Sequence, residues 1–466
     1  MSKRVGWVVI ALAACRFGGN GANPADSSAP AGQDATPGVD AVAGRDASPV
    51  APDAAPAPPA GYPDPTGYGN TVFGSGAGSD LTGPFFASLG TNGRTCGTCH
   101  DVASGWSITP RLIQQRFAAS GGGDPLFRLV DGAVSPIADV STPQAARAAY
   151  AMLLDKGVLR IGLPIPANAE FTLVAVDDPY GYASASELSL FRRPLPSTNL
   201  RFESVVMWDG REPSLAQQAV DATLGHAQAS AAPGSDDVAA IVAFESGLTT
   251  AQSSDDVAGD LASDGAGGGP VALAALAFQP GATSPQTFAL YDAWQGPPGP
   301  PGGGGPGGGA QTAAQRQASI ARGQQIFDTR PIHIAGVAGI ADQQGACATC
   351  HDTPGVGDHD SALLLDLGLT TAQIRTPDLP LYTLQRTSDG TTVQTTDPGA
   401  ALVTGAWADV SRFKVPTLRG LATRAPYFHD AFAPTLDDVV NFYNARFRLG
   451  LSPQEHADLV AFLSAL

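Results

Sequence analysis

Basic residues are in short supply in this chain. Lys and Arg number 26 against 43 Asp and Glu, a formal net charge of -17 over 466 residues. A surface of that sign repels phosphate backbones and anionic lipid headgroups, so it argues against nucleic acid and for small neutral substrates or a basic protein partner. Cysteine is nearly as scarce. Four of the five cysteines sit in two short motifs, so no disulfide is needed or available to hold the fold. Methionine occurs three times and never after Met207. Aromatics are sparse, and no apolar run beyond the first residues could span a bilayer.

What is there is led by the two motifs, Cys96-Gly97-Thr98-Cys99-His100 and Cys347-Ala348-Thr349-Cys350-His351. This spacing is the attachment site of a c-type haem: two thiols add across the vinyl groups and the adjoining His reaches the iron. Four cysteines in two hooks could also hold zinc, but zinc does not call for a His directly after each hook. Two covalently bound c-type haems are the expected cofactors. His100 and His351 are the expected proximal ligands.

Residues 1–15 read as a lipoprotein signal peptide. Lys3 and Arg4 precede a short apolar run that ends in Leu12-Ala13-Ala14-Cys15. A small-residue site closing on the one spare Cys predicts lipidation there. The expected location is periplasmic, held to the outer membrane only through that anchor. Residues 16–62, rich in Ala and Pro, cannot bury a core and read as a tether. Residues 296–310 read as a Gly/Pro linker. It divides the folded part into an N-terminal haem domain (63–295, with an insertion at about 101–200) and a C-terminal cytochrome c domain (311–466).

The expected fold is mainly α, two cytochrome c-like haem domains with a partly β insertion in the first. Ile320 to Phe327 reads as a helix ahead of the second motif. Thr435 caps another, with Asp438 three residues on. Ser452, Pro453 and Glu455 open the last helix as N-cap, N1 and N3. Ser235 caps a helix in the first part. Phe171–Val176 and Arg201–Met207 are apolar enough for strands.

Two strings are distinctive: Met207-Trp208-Asp209-Gly210-Arg211, and Phe413-Lys414-Val415-Pro416-Thr417-Leu418-Arg419 with Ala425-Pro426-Tyr427-Phe428-His429-Asp430 after it. With the two haem motifs, they resemble the bacterial dihaem cytochrome c peroxidase family, including its MauG branch. The resemblance is strong over 311–466. In the first part it is limited to the surroundings of Cys96 and to 207–220. It implies that one haem reacts with peroxide while the other stores or relays an electron, with Trp208 between them. A packed core Trp is the plainer reading. Arg211 and Arg419 are natural partners of haem propionates, or else of surface carboxylates. The resemblance also brings a calcium ion between the haem domains, for which the sequence identifies no side-chain ligands.

The His351 haem resembles the electron-transfer haem, whose distal ligand is Met or Tyr, 14 residues after the His of the Tyr-Phe-His-Asp string. That register lands on Tyr443. With no Met downstream of Met207, His/Met ligation within this domain is impossible. A buried Tyr on an amphipathic helix is the alternative, and His429 and His456 are rival ligands. The His100 haem resembles the peroxide-binding haem. There the family expects a Gln and a Glu after the Trp. Gln218 matches the first, but the second position holds Gln228, which cannot take a proton. Nearby His226 could shuttle protons, ligate the iron, or sit on the surface.

The resulting expectation is a dihaem oxidoreductase of peroxidase type. It would reduce hydrogen peroxide at the His100 haem, with electrons relayed through the His351 haem. The electrons would come from a small cytochrome or cupredoxin, or from an oxidised substrate through MauG-like high-valent chemistry. The alternative is a non-enzymatic dihaem electron-transfer cytochrome.

Overall fold

The computed structural model describes residues 61–74, 81–277, 282–296, 311–359 and 363–466. The lipidation site at Cys15, most of the tether and most of the Gly/Pro linker lie outside them. The described chain opens with strands β1 (Tyr62–Asp64) and β2 (Gly67–Phe73). The first Cys-x-x-Cys-His turn follows, then helices α1 (Pro110–Ser120), α2 (Pro143–Ala149) and α3 (Ala151–Lys156). Strands β3 (Leu159–Leu163), β4 (Phe171–Asp177) and β5 (Leu188–Arg192) complete the insertion. Next come α4 (Leu215–Gly225), α5 (Ser235–Gly247), β6 (Leu248–Asp255), β7 (Gly259–Asp260) and α6 (Gly269–Ala274). The last third holds α7 (Ala313–Thr329), β8 (Ile332–Ile334), β9 (Gln343–Gly345), the second motif, β10 (Leu364–Leu365), β11 (Leu381–Arg386) and β12 (Thr392–Thr395). It ends with α8 (Ala401–Thr404), β13 (Phe413–Lys414), α9 (Leu436–Phe447) and α10 (Pro453–Ser464).

The helices start where polar caps satisfy their first N–H groups. Thr435 and Asp438 exchange side-chain to backbone bonds at α9, as do Ser452 and Glu455 at α10, with Pro453 at the first position. A third such box, Thr312 with Gln315, opens α7. Helix α5 starts at Ser235 itself, so the cap position is Gly234 rather than Ser235.

Helices α7 and α10 pack against each other over Ile320, Phe327, Leu459, Phe462, Leu463 and Leu466, the core beneath the second motif. They approach so closely that a Cβ at Gly323 would lie 2.0 Å from the Asp458 carbonyl oxygen. Asp458 is itself buried and accepts bonds from Ser319 and Arg322, which fixes the crossing.

The β structure departs from expectation in three ways. Tyr62, read as the end of the tether, is 2 % exposed and begins β1. Strand β1 pairs with β2, β2 with β6, and β6 with β7 in one antiparallel sheet. Strand β4 forms as expected over Phe171–Asp177, but its partner is β11, flanked by β12. The β insertion is therefore built from both halves of the chain rather than from the first alone. Arg201–Met207 is not a strand. It is a short 3-10 turn at Leu200–Phe202 followed by a loop, bridged only at Val206 and Glu212. The segment bends because Glu203 turns inward to Lys414, and Met207 (φ 67°) and Gly210 (φ 69°) take left-handed conformations around Trp208.

Replacing Gly323 with Ala should destabilise the protein by about 1–3 kcal/mol through overpacking of the α7–α10 crossing. Thermal unfolding of the holoprotein checks this, and an unchanged melting temperature would contradict the packing argument.

Candidate functional site

Each Cys-x-x-Cys-His motif folds as one 3-10 turn, at Cys96–Thr98 and Cys347–Thr349. A Thr hydroxyl closes each turn: Thr98 accepts from the Thr95 N–H at 2.9 Å and Thr349 from the Ala346 N–H at 2.9 Å. The histidines are then held alike. His100 Nδ1 lies 3.0 Å from the Trp106 carbonyl and His351 Nδ1 lies 2.5 Å from the Gly357 carbonyl, each six residues on. A carbonyl only accepts, so Nδ1 carries the proton and Nε2 is left as the ligating nitrogen. Burial lowers both imidazoles to about 4, which keeps them neutral as ligands must be.

Two large cavities stand over these turns. One is lined by Cys96, Cys99 and His100; the other by Cys347, Cys350 and His351. The four thiols therefore face two separate spaces. No cluster of three or more His, Cys, Asp or Glu side chains able to hold a metal ion exists among the described residues. A shared zinc site is excluded by that geometry. The walls suit a haem in each space: mostly apolar side chains, a pair of thiols, one free imidazole nitrogen, and buried cations without acid partners. Arg193 lines both cavities and Arg424 lines the larger. Both donate only to backbone carbonyls. Burial pushes Arg193 down to about 9, with the like charge of Arg424 adding to the effect, and burial pushes Arg424 down to about 10. Such a pair calls for an anion, which haem propionates would supply.

The two cavities share one wall. Arg193, Pro194, Leu195, Pro196 and Trp208 line both. The Trp208 indole N–H donates to the Arg193 carbonyl at 2.8 Å, and the Trp208 carbonyl accepts from the Lys414 N–H at 2.9 Å. Beside it a buried ion pair crosses the wall, Lys414 Nζ to Glu203 Oε2 at 2.5 Å, with Lys414 on the His351 side and Glu203 on the His100 side. The Arg193 guanidinium joins the two halves as well, donating to the carbonyls of Gly157 (3.1 Å) and Arg424 (3.0 Å).

The larger cavity takes in Tyr443 on α9 and His429. Burial raises the Tyr443 hydroxyl above its usual range. Phe442 packs edge-on against its ring and Phe447 lies parallel to it. His429 is 2 % exposed, stacks on Phe413 at 4.3 Å between ring centroids, and lies 6.3 Å from Trp208. Its Nε2 has no hydrogen-bond partner among the described residues. His456 lines neither cavity and bonds Asn441 instead.

The smaller cavity takes in Gln218 and His226 from α4 and its C-cap, with Met207, Arg211 and Glu245. The expected Gln228 is not there. The chain turns left-handed at Gln228 (φ 55°), and its exposed side chain accepts from Asn92 at 3.2 Å, outside the cavity. Arg211 lines the cavity but is held by Asp209 at 3.0 Å. Arg419 corrects a further expectation. It lines neither cavity; it is 1 % exposed and reaches the Gly269 carbonyl at 3.3 Å, because the chain after Thr417 turns that side chain towards α6 and Tyr291. The buried arginines at the cavities are Arg193 and Arg424, which no local pattern in the sequence singles out. Sequence reasoning also missed Asp131, which holds His226 Nδ1 at 2.5 Å.

No family model matches the chain. It is 31% identical over 216 residues to the cytochrome-c peroxidase IdrP1 of Denitromonas iodatirespirans, covering 41% of this chain and 48% of that protein. Over 142 residues it is 34% identical to the cytochrome-c peroxidase IdrP2 of the same organism, covering 26% and 36%. Over 72 residues it is 46% identical to the cytochrome c peroxidase Ccp of Escherichia coli strain K12, covering 15% of each. The chain thus spans less than half the length of these relatives. A solved MauG-like protein associated with microbial copper homeostasis gives a TM-score of 0.31 at 19% identity, covering 61% of this chain and 75% of that one, too weak a likeness to carry an argument.

Glu245 supplies a test of the smaller cavity. Burial raises its carboxyl from the ordinary 4.5 to about 8, and its Oε2 has no hydrogen-bond partner among the described residues. The folded state then binds more protons than the unfolded one between those values, so stability falls as pH rises through that window. Glu245→Gln should remove that fall, leaving the variant more stable than the parent at alkaline pH. Melting curves across pH check this; parallel curves for the two proteins would refute the burial of an acid here.

Proposed function

We propose that the chain is a member of the dihaem cytochrome c peroxidase family, and we infer a dihaem oxidoreductase that reduces hydrogen peroxide. The observation that carries the reading is Trp208, present in the wall of both cavities. A c-type haem bound in each cavity supplies the iron: one centre where peroxide is reduced, and one that stores and passes electrons.

The residues divide the work between the cavities. Cys96 and Cys99 hold one haem and Cys347 and Cys350 the other. His100 and His351 each offer Nε2 to the iron, their Nδ1–H groups pinned by Trp106 and Gly357. Tyr443 lines the same cavity as His351 and would supply a further ligand to the iron held there, which would keep peroxide from that haem. Its anionic oxygen would favour oxidised iron, which suits a centre that shares oxidising equivalents. On the other side the cavity stays open for peroxide, with Gln218 and His226 facing it. His226 Nε2 takes a proton from the peroxide and returns it to the departing oxygen, so that two electrons and two protons convert hydrogen peroxide to two waters. Gln218 orients the peroxide by hydrogen bonding. Trp208 passes electrons through the shared wall. Its N–H donates to a carbonyl, which cannot accept the proton, so the indole passes charge without losing hydrogen. Arg193 and Arg424 neutralise the propionates.

The electrons come from a small cytochrome or cupredoxin, or from a substrate that is itself oxidised. Export to the periplasm, with an anchor at Cys15, completes the reading. The rival reading, a dihaem electron carrier, draws on His226 and Met207, side chains in the smaller cavity that could occupy the iron in place of peroxide.

Ferric spectra of the holoprotein, with and without peroxide, separate the two. A high-spin signal that peroxide perturbs is expected; two low-spin haems blind to peroxide would establish the carrier. Tyr443→Phe should shift the spectrum of the His351 haem while leaving the high-spin signal in place. An unchanged spectrum would remove Tyr443 as ligand.

A further inference from the structure

The long insertion has no part in the family resemblance, yet it lines the smaller cavity with Leu159, Ile161 and residues 192–197, and one more of its residues, Asp131, stands behind that lining on His226. Asp131 is 3 % exposed. Its Oδ1 accepts from Arg94 Nη1 at 2.5 Å and its Oδ2 lies 2.5 Å from His226 Nδ1. Every side of this arrangement is fixed by backbone. The Arg160 N–H donates to the Asp131 carbonyl at 2.7 Å, and Arg94 donates to the carbonyls of Pro125 (2.9 Å) and Leu126 (2.7 Å). The Asn92 side chain holds the His226 carbonyl at 2.8 Å. Burial opposes the charge on Asp131, but Arg94 and His226 more than offset it and hold the carboxyl below its usual range.

An ionised carboxylate only accepts hydrogen bonds. His226 Nδ1 therefore carries the donated proton, and in the neutral ring the Nε2 lone pair is left free. The His226 ring, with a side chain 39 % exposed, would otherwise turn freely at the end of α4. The carboxylate expected at the position of Gln228 is missing, and Gln228 itself lies outside the cavity.

We propose that Asp131 is the positioning residue of the peroxide site: it fixes the tautomer and direction of His226, and the insertion exists in part to carry it there. This rests on the reading of His226 as the group that moves the peroxide proton. In the family pattern a carboxylate inside the cavity handles protons directly. Here a buried carboxylate behind the wall acts through an imidazole in front of it.

The test compares Asp131→Asn, His226→Gln and the double variant as holoproteins in steady-state peroxide reduction. Asp131→Asn should lower kcat about 10–100-fold, the usual effect of losing an orienting partner, with KM for the electron donor unchanged. The double variant should be no slower than His226→Gln alone, because the carboxylate acts only through that ring. Asp131→Glu should recover part of the rate. Since Asp131→Asn leaves the Arg94 charge buried without its partner, Arg94→Gln/Asp131→Asn is measured beside it and should be equally slow. A wild-type kcat in Asp131→Asn, losses that multiply in the double variant, or full recovery on removing Arg94 would each overturn the proposal. Should His226→Gln keep full activity, the reading of His226 falls first. Should His226→Gln be slow and Asp131→Asn normal, only the positioning role falls.

Discussion

The hydrogen bond from the Trp208 indole to the Arg193 carbonyl is the constraint on which the rest depends. It fixes one aromatic ring in a wall that both cavities share. Its neighbours in the wall hold the backbone around it. Pro194 and Pro196 restrict the backbone on one side, and Lys414 ties Trp208 from the other through its own amide. Close, fixed spacing is what electron transfer between two centres requires, and a wall with a mobile ring would not provide it.

Charge is arranged around the wall rather than within the reacting spaces. Among the described residues, two buried arginines, Arg193 and Arg424, bond carbonyls and no carboxylate, while Glu203 and Lys414 pair with each other across the wall. Buried cations of this kind are costly unless an anion completes them. The apoprotein would then be the less stable form, and cofactor insertion would stabilise the fold where the two halves of the chain meet. The interleaving of the halves points the same way: β4 pairs with β11, and Arg193 bonds Arg424.

Much of this was legible in the sequence where chemistry follows a fixed local spacing. Each of the paired motifs brings two thiols and an imidazole to one cavity, and the Thr435 and Ser452 caps marked α9 and α10. Tyr443, reached by counting from His429, does face the cavity of His351. Long-range partners were not legible. Asp131 meets His226 across 95 positions, and Arg193 meets Arg424 across 231, so no local pattern could pair them. Arg419 was misread because a distinctive string does not say which of its side chains turns inward. Gln228 was misread because one left-handed residue after a helix swings a side chain out of the space that spacing alone assigns to it.

The central claim is that the shared wall carries electrons through Trp208. The most direct measurement starts from fully reduced holoprotein, mixes it rapidly with one equivalent of peroxide, and follows the optical bands of both haems in wild type and Trp208→Phe. The account predicts that in the variant the His100 haem is oxidised at the wild-type rate, while oxidation of the His351 haem lags far behind. Oxidation of both haems at wild-type rates in the variant would contradict it.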